Sequence, residues 1–430
     1  MTTSGRYAHA VGAFAALLMT TAAAHAGGFA IREMSAYGQG SSFAGVAAGG
    51  ALSSLFWNPA TMTQMPGVQT EFVATGAFGS ATHTVDSAST LAVFGGAPNS
   101  ARDALVPSGY FSWQVNPRVW LGLSFNSPFG LSVGFPDVWA GRDYAESTSL
   151  KTYNATPSVA VRITDWLSIG AGVQIQYANA NFSSGIGATP GAVLNIGGTG
   201  WGYGLTAGIT VTPTPTTMIG LGWRSAIDQK IDGSLSLPAG PVFNPPFSTP
   251  GSVNTTINLP DVVSLGIRQK VTPQLTLLGT VEWSNWSRIG TSVVTQANGA
   301  PALVLNGLGG GAVALPFRYS DGWLYSLGAE YQWDPRIKLR AGVAYEKSPI
   351  TDDVRTPRLP DNDRYWVSAG LSYNITKALA FDLAYSHIFV KSTSVAIAPG
   401  NPWFNGAVTY FGNVDSDIDL LSIGLRYQWM

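Results

Sequence analysis

The chain has no cysteine, which excludes a disulfide framework, a thiolate metal site and a thiol nucleophile. Charge is scarce: 11% of its 430 residues are Asp, Glu, Lys or Arg, against roughly 25% in an average soluble domain. The net charge is −1, so no basic stripe is available to hold nucleic acid. Beyond the N-terminus no run of about 18 apolar residues occurs, which excludes a helical membrane span. His9, His25, His83 and His387 are the only histidines and show no metal-ligand spacing. No cofactor is implied.

Glycine and aromatic residues are abundant: Gly 51, Trp 14, Tyr 16 and Phe 19, with a mean hydropathy of +0.15. Sparse charge without an apolar run fits a transmembrane β-barrel, whose lipid-facing and lumen-facing residues alternate. The N-terminus reads as an export signal. Arg6 supplies its positive region, Val11–Thr21 a short apolar core and Ala24-His25-Ala26 an A-x-A cleavage site. Residues 1–26 are therefore assigned to a cleaved signal peptide, and the mature chain is expected to begin at Gly27, bound for the cell outer membrane.

Apolar residues downstream follow a period of two. Leu167, Ile169, Ala171, Val173, Ile175 and Tyr177 share one face; Ser168, Gly170, Gly172, Gln174 and Gln176 share the other. In the last such segment Leu421, Ile423, Leu425, Tyr427 and Trp429 oppose Ser422, Gly424, Arg426 and Gln428. A soluble sandwich alternates too. Strands of about ten residues, a glycine-rich polar face and aromatics at strand ends favour the membrane.

Six tight links have turn chemistry: Asn116-Pro117-Arg118, Thr164-Asp165, 212–216, Thr272-Pro273-Gln274, Asp334-Pro335-Arg336 and 374–377. Seven longer connections, near 78–103, 126–148, 183–198, 232–254, 289–316, 347–362 and 388–415, interleave with them. Thirteen connections predict an all-β fold, a 14-stranded antiparallel transmembrane β-barrel over 67–430 with short turns on the periplasmic rim. Such a wall encloses a lumen that its own side chains cannot fill. Residues 27–66, rich in Gly, Ala and Ser and without strand periodicity, are assigned to an N-terminal hatch that plugs it.

The hatch stretches GGFAIREMSAYGQGSSFAG and FWNPATM resemble the FadL/TodX family of outer-membrane transporters for long-chain fatty acids and aromatic hydrocarbons. So do SPFGLSVGFPDVWAGRDY (127–144), LPDVVSLGIRQKVTPQLTLLGTVEWSNWSRI (259–289) and SPITDDVRTPRLPDNDRYWVSAGLSY (348–373), and the resemblance spans the mature chain. It implies that hydrophobic cargo is captured at the extracellular loops and held in a buried apolar pocket. The cargo then leaves sideways into the bilayer, through a gap where the third strand is kinked. That route suits the physics, because a fatty acid gains about 0.8 kcal/mol per CH₂ moved out of water.

By this resemblance Asn58, Pro59 and Ala60 correspond to the hatch tripeptide that faces the gap. Ser127, Pro128, Phe129 and Gly130 correspond to the kink, and Phe29 to an aromatic that reaches into the ligand pocket. Chemistry alone also expects an opening there, since Pro lacks a ladder donor and Gly weakens pairing. The alternative readings are an ordinary turn at Asn58-Pro59 and plain packing of Phe29.

Two departures stand out. The segment near 183–198 is shorter and richer in glycine than the helical surface loop of the fatty-acid members. The residues that meet the carboxylate in those members have no matched counterparts. Arg318, Arg340 and Arg224 lie on or near inward-facing positions and are candidate carboxylate contacts, or else they pair with hatch charges such as Arg32 and Glu33. The chain ends in Met430 rather than an aromatic, although Tyr427 and Trp429 keep the final-strand pattern that the outer-membrane assembly machinery reads.

Enzyme chemistry has little support. Gly130-Leu131-Ser132-Val133-Gly134 matches G-x-S-x-G, but that elbow requires a strand–turn–helix setting. Residues 306–311 are glycine-rich but lack the Lys-Ser/Thr of a phosphate loop. Three function classes remain: uptake of hydrophobic small molecules, a nonspecific porin and a barrel-embedded lipid hydrolase. The hatch favours a passive, monomeric transporter in contact with outer-membrane lipid and lipopolysaccharide. Long-chain fatty acid is the leading cargo by analogy, with monoaromatic hydrocarbon the alternative.

Overall fold

In a computed structural model of the protein, fourteen antiparallel strands close into one wall around a plug. The structure describes residues 27–236, 252–296, 298–300, 302–304 and 311–429. The signal peptide, most of the connection near 232–254, part of that near 289–316 and Met430 lie outside the described residues.

The strands are β1 (Val68–Val85), β2 (Ala104–Asn116), β3 in two pieces (Val119–Asn126 and Gly130–Gly134), β4 (Ser147–Arg162), β5 (Leu167–Gly185) and β6 (Val193–Thr214). Then come β7 (Thr217–Arg224 and Ile227–Ser236), β8 (Val253–Leu259 and Val262–Lys270), β9 (Leu275–Ser284) and β10 (Gly322–Gln332). The wall ends with β11 (Ile337–Lys347), β12 (Arg364–Asn374), β13 (Leu379–Val390 and Thr393–Ile397) and β14 (Tyr410–Trp429). β14 closes on β1 from Val68↔Trp429 to Val85↔Gly412. Every tight link expected from the sequence falls between two strands.

Strand length departs from the expected ten or so residues. β1 has 18, β5 has 19, β6 has 22 and β14 has 20. An apolar band needs only about 9–11 tilted residues, and the pleat simply continues past it. On β14 the exposed Leu421, Ile423 and Leu425 give way to Asp415, Asp417 and Asp419 on the same face. The connection expected near 183–198 is accordingly mostly hairpin, paired up to Gly185↔Val193. Outward aromatics edge the band: Trp323 stacks on Tyr325 (6.0 Å) and Tyr325 on Tyr345 (6.5 Å).

Residues 27–65 fill the lumen and are nearly all buried. Their helix α1 (Ala36–Gln39) is started by Ser35, whose side chain accepts the Gly38 N–H; 3₁₀ turns follow at Val46–Ala48, Leu52–Phe56 and Pro59–Gln64. This backbone lies directly on glycines of the inner wall. A Cβ at Gly220 would meet Ala47 O at 1.9 Å, one at Gly222 would meet Trp57 O at 1.9 Å, and one at Gly342 would meet Ser41 O at 2.2 Å. The glycine-rich polar face is thus the seat of the plug.

Charged side chains fasten the hatch on one side. Arg32 pairs with Glu282 of β9 and Glu346 of β11. Arg268 of β8 donates to Gly49 O (3.2 Å) and to Glu330 of β10 (2.6 Å). Asp382 of β13 accepts from Arg340 (3.3 Å) and Arg426 (2.6 Å), and both guanidiniums lie over the Tyr37 ring, at 4.0 and 5.3 Å. The wall charges occupy inward positions: Arg426 and Asp382 on neighbouring strands, Arg268–Glu330 and Arg340–Asp382 reaching across one intervening strand.

Candidate functional site

β3 breaks after Asn126. Its ladder with β2 runs from Asn116↔Val119 to Gly109↔Phe125 and stops. Ala104–Ser108 keep their β1 partners but have none on β3. Pro107 and Pro128, on either side of this interval, have no N–H to bridge it. The broken segment instead turns to the hatch: Ile31 N–H donates to Pro128 O (2.8 Å) and Gly130 N–H to Phe29 O (2.9 Å). Thr152 of β4 holds the turn, its Oγ1 accepting from Phe129 N–H (2.9 Å) and donating to Phe129 O (2.6 Å). The wall is open between β2 and β3 at this point. Gly130–Gly134 then resumes pairing with β4 as a strand, so the G-x-S-x-G string forms no nucleophile elbow.

The same hatch residues bring an aromatic cluster to the opening. The Phe29 ring lies 6.2 Å from Phe129, 4.7 Å from Trp286 and 6.3 Å from Phe317, all edge-on or tilted. Tyr319, Ile350 and Leu359 extend this buried apolar cluster. Phe135 and Trp139, stacked at 4.4 Å, form a second layer against His83 and Tyr410. Trp286 comes from a 3₁₀ turn (Trp286–Ile289) after β9. Sequence reasoning gave it no role, although its motif, WSNWSRI, is dense in tryptophan just where a strand ends.

Phe29, Ser127, Pro128, Phe129 and Gly130 therefore lie together at the break. Asn58, Pro59 and Ala60 lie elsewhere in the hatch. Asn58 caps the turn Pro59–Gln64 by accepting the Ala60 N–H (3.0 Å), and its Nδ2 donates to Ala47 O (2.7 Å) and Ile209 O (3.0 Å). Its neighbours on the wall are Gly208 and Gly222, and those of Pro59 and Ala60 include Gly170. The tripeptide sits on the intact wall of β5–β7 rather than at the opening.

The three candidate arginines are separated. Arg340 is buried and pairs with Asp382 of the wall rather than with a hatch charge. Arg224 is buried, donating to Phe56 O (3.1 Å) and Gln174 Oε1, with its guanidinium 4.1 Å over the Phe56 ring. Among the described residues it makes no ion pair. Arg318 departs from the inward placement expected of it: it is exposed, at φ 44°, while its neighbours Phe317 and Tyr319 point into the cluster.

Two loop arginines to which the sequence analysis gave no role also make structural contacts, Arg142 buried and Arg358 half-buried. Arg358 donates to Ser147 O, Tyr144 O and Ser183 O (2.8, 2.9 and 2.8 Å), tying its loop to β4 and β5. With no carboxylate partner among the described residues, its guanidinium is pushed down to about 10 by burial. Arg142 donates to Gly187 O and Thr189 O (2.6 and 2.8 Å). In the hatch, burial raises the Glu33 carboxyl to about 7.

Comparison with known proteins agrees with this architecture. Residues 17–429 match the family model described as outer membrane protein transport protein (OMPP1/FadL/TodX). The long-chain fatty acid transport protein of Escherichia coli (strain K12) is 26% identical over 355 residues, 74% of this chain and 77% of that protein. Outer membrane protein P1 of Haemophilus influenzae is 27% identical over 418 residues, 87% of this chain and 88% of that protein. Among solved structures, a Pseudomonas aeruginosa FadL homologue superposes with a TM-score of 0.82 at 23% identity, covering 94% of this chain and 100% of that one. The P. putida toluene transporter TodX gives 0.69 at 16% identity, with 92% and 99% covered. The chain belongs to the OMPP1/FadL/TodX family of outer-membrane transport proteins.

Proposed function

We propose that the protein takes up hydrophobic small molecules passively, long-chain fatty acids foremost, and releases them sideways into the outer membrane beside the broken β3. The observation that carries this reading is the exchange of partners at 127–130, where β3 leaves β2 and bonds to hatch residues 29–31. Cargo entering the Phe29–Phe129–Trp286 cluster displaces rings that are held by the same backbone, so occupancy and the opening are mechanically coupled. The tail then passes from an apolar cluster to an apolar bilayer without crossing water. A nonspecific porin is disfavoured, because the lumen is filled and its plug is ion-paired to the wall.

Monoaromatic hydrocarbon is the second reading, favoured by the edge-on packing of Phe29 on Trp286 and Phe129, a geometry that suits a flat ring. Labelled oleate and labelled toluene, offered to cells that lack their own outer-membrane uptake route, separate the two. Wild type should restore one of them, and a Pro128→Ala/Gly130→Ala variant should lose it while staying folded. If wild type restores neither but admits small sugars, the porin reading replaces this one.

A further inference from the structure

The lumen face of β1–β3 carries polar atoms that the hatch leaves unanswered. Register sets Glu71 of β1 opposite Tyr110 of β2, and Tyr110 opposite Ser124 of β3. Ser112 lies one rung toward the short-turn rim, and Asn126 flanks the opening. These five side chains are at most 4% exposed. Yet Glu71 Oε1, Ser112 Oγ, Ser124 Oγ and Asn126 Oδ1 have no hydrogen-bond partner among the described residues. The hatch supplies Met34 O, which accepts from Tyr110 (2.7 Å), and Ser53 N–H, which donates to Glu71 Oε2 (2.8 Å).

Buried polar groups are nearly always paired, so four orphans in one patch point to an occupant. Its charge is fixed by the surroundings. None of these five side chains is cationic; Arg426 of β14, set opposite Glu71 by register, is already engaged by Asp382 (2.6 Å), and Glu71 repels an anion. A hydroxyl finds acceptors at Glu71 Oε1 and Asn126 Oδ1, and donors at the two serines.

We propose that this face is a second cargo subsite that takes an uncharged, hydrogen-bonding head group, a hydroxyl or a protonated carboxylic acid, while the apolar tail enters the bilayer between β2 and β3. The proposal rests on the lateral-exit reading and deepens it: the opening selects neutral cargo. A fatty acid picks up its proton from extracellular water and carries it into the bilayer, so no protein group has to titrate.

The test offers cells labelled dodecane, dodecanol and dodecyl sulfonate, with wild type and a Ser112→Ala/Ser124→Ala variant. Wild type should admit dodecane and dodecanol and exclude the sulfonate, a comparison that needs no variant. The double variant removes hydroxyls that have no partner, so it should fold. It should slow dodecanol about tenfold, roughly 1.4 kcal/mol, and leave dodecane unchanged. Sulfonate uptake as fast as that of dodecanol would overturn the proposal, as would a variant that slows neither probe or both alike. A wild type that admits none of the three would instead sink the uptake function itself.

Discussion

The hatch meets its wall in two different ways. Toward β8–β14 the contact runs through paired cations: Arg32 of the hatch meets Glu282 and Glu346, while the wall's Arg268, Arg340 and Arg426, each held by a buried carboxylate, reach Gly49 O or the Tyr37 ring. Toward β1–β3 no ion pair occurs among the described residues, and polar atoms there lack partners. Breaking one member of a buried pair strands a charge, so the first side cannot let go. On the proposed route, cargo passage calls for movement of hatch residues 29–31 and the broken strand, not removal of the plug.

The largest effect that would break this contrast is Asp382→Asn. It leaves the buried Arg340 and the half-buried Arg426 without their shared carboxylate and should cost about 3–5 kcal/mol, read as a lower unfolding midpoint in detergent. A change under 1 kcal/mol would show that the ionic side does not hold the hatch. Gly208→Leu comes next. Its Cβ would fall 1.9 Å from Asn58 Oδ1, so the plug should be displaced and planar bilayers should conduct, whereas a closed barrel would mean the seat is yielding.

Smaller is Glu33→Gln, which is pH-dependent. With the folded carboxyl at about 7, above its ordinary range near 4.3, the folded state holds a proton that the unfolded state releases. Stability therefore falls as pH rises between those values and is level above about 7. The variant should gain on the order of 1–3 kcal/mol at pH 8 and nothing at pH 4; an equal gain at both would refute the burial cause. Smallest is Phe29→Ala, expected to weaken cargo binding about tenfold, roughly 1.4 kcal/mol, as followed by equilibrium binding of labelled oleate to the purified protein. An unchanged affinity would remove Phe29 from the site.

The strand count was legible because turn residues and a period of two are local signals. Strand length was not, because nothing in the pleat marks where lipid ends and water begins. Glycines such as Gly208 and Gly220 read only as members of a polar face; their purpose needs the hatch backbone at 1.9 Å. The break at Pro128 was visible from proline chemistry, but the turn of Phe29 and Ile31 to meet it was not. Arg318 sits in an irregular loop, where periodicity gives no inside or outside, and the partners of Arg358 on β4 and β5 lie more than a hundred residues away.

The chain has no cysteine, so a Pro107→Cys/Ser127→Cys variant can be bridged across the β2–β3 opening with a short, reductively cleavable bis-thiol reagent. Oleate uptake should fall to background when the bridge forms and return when it is cleaved. Uptake at the unbridged rate through a bridged wall would contradict lateral exit at β3.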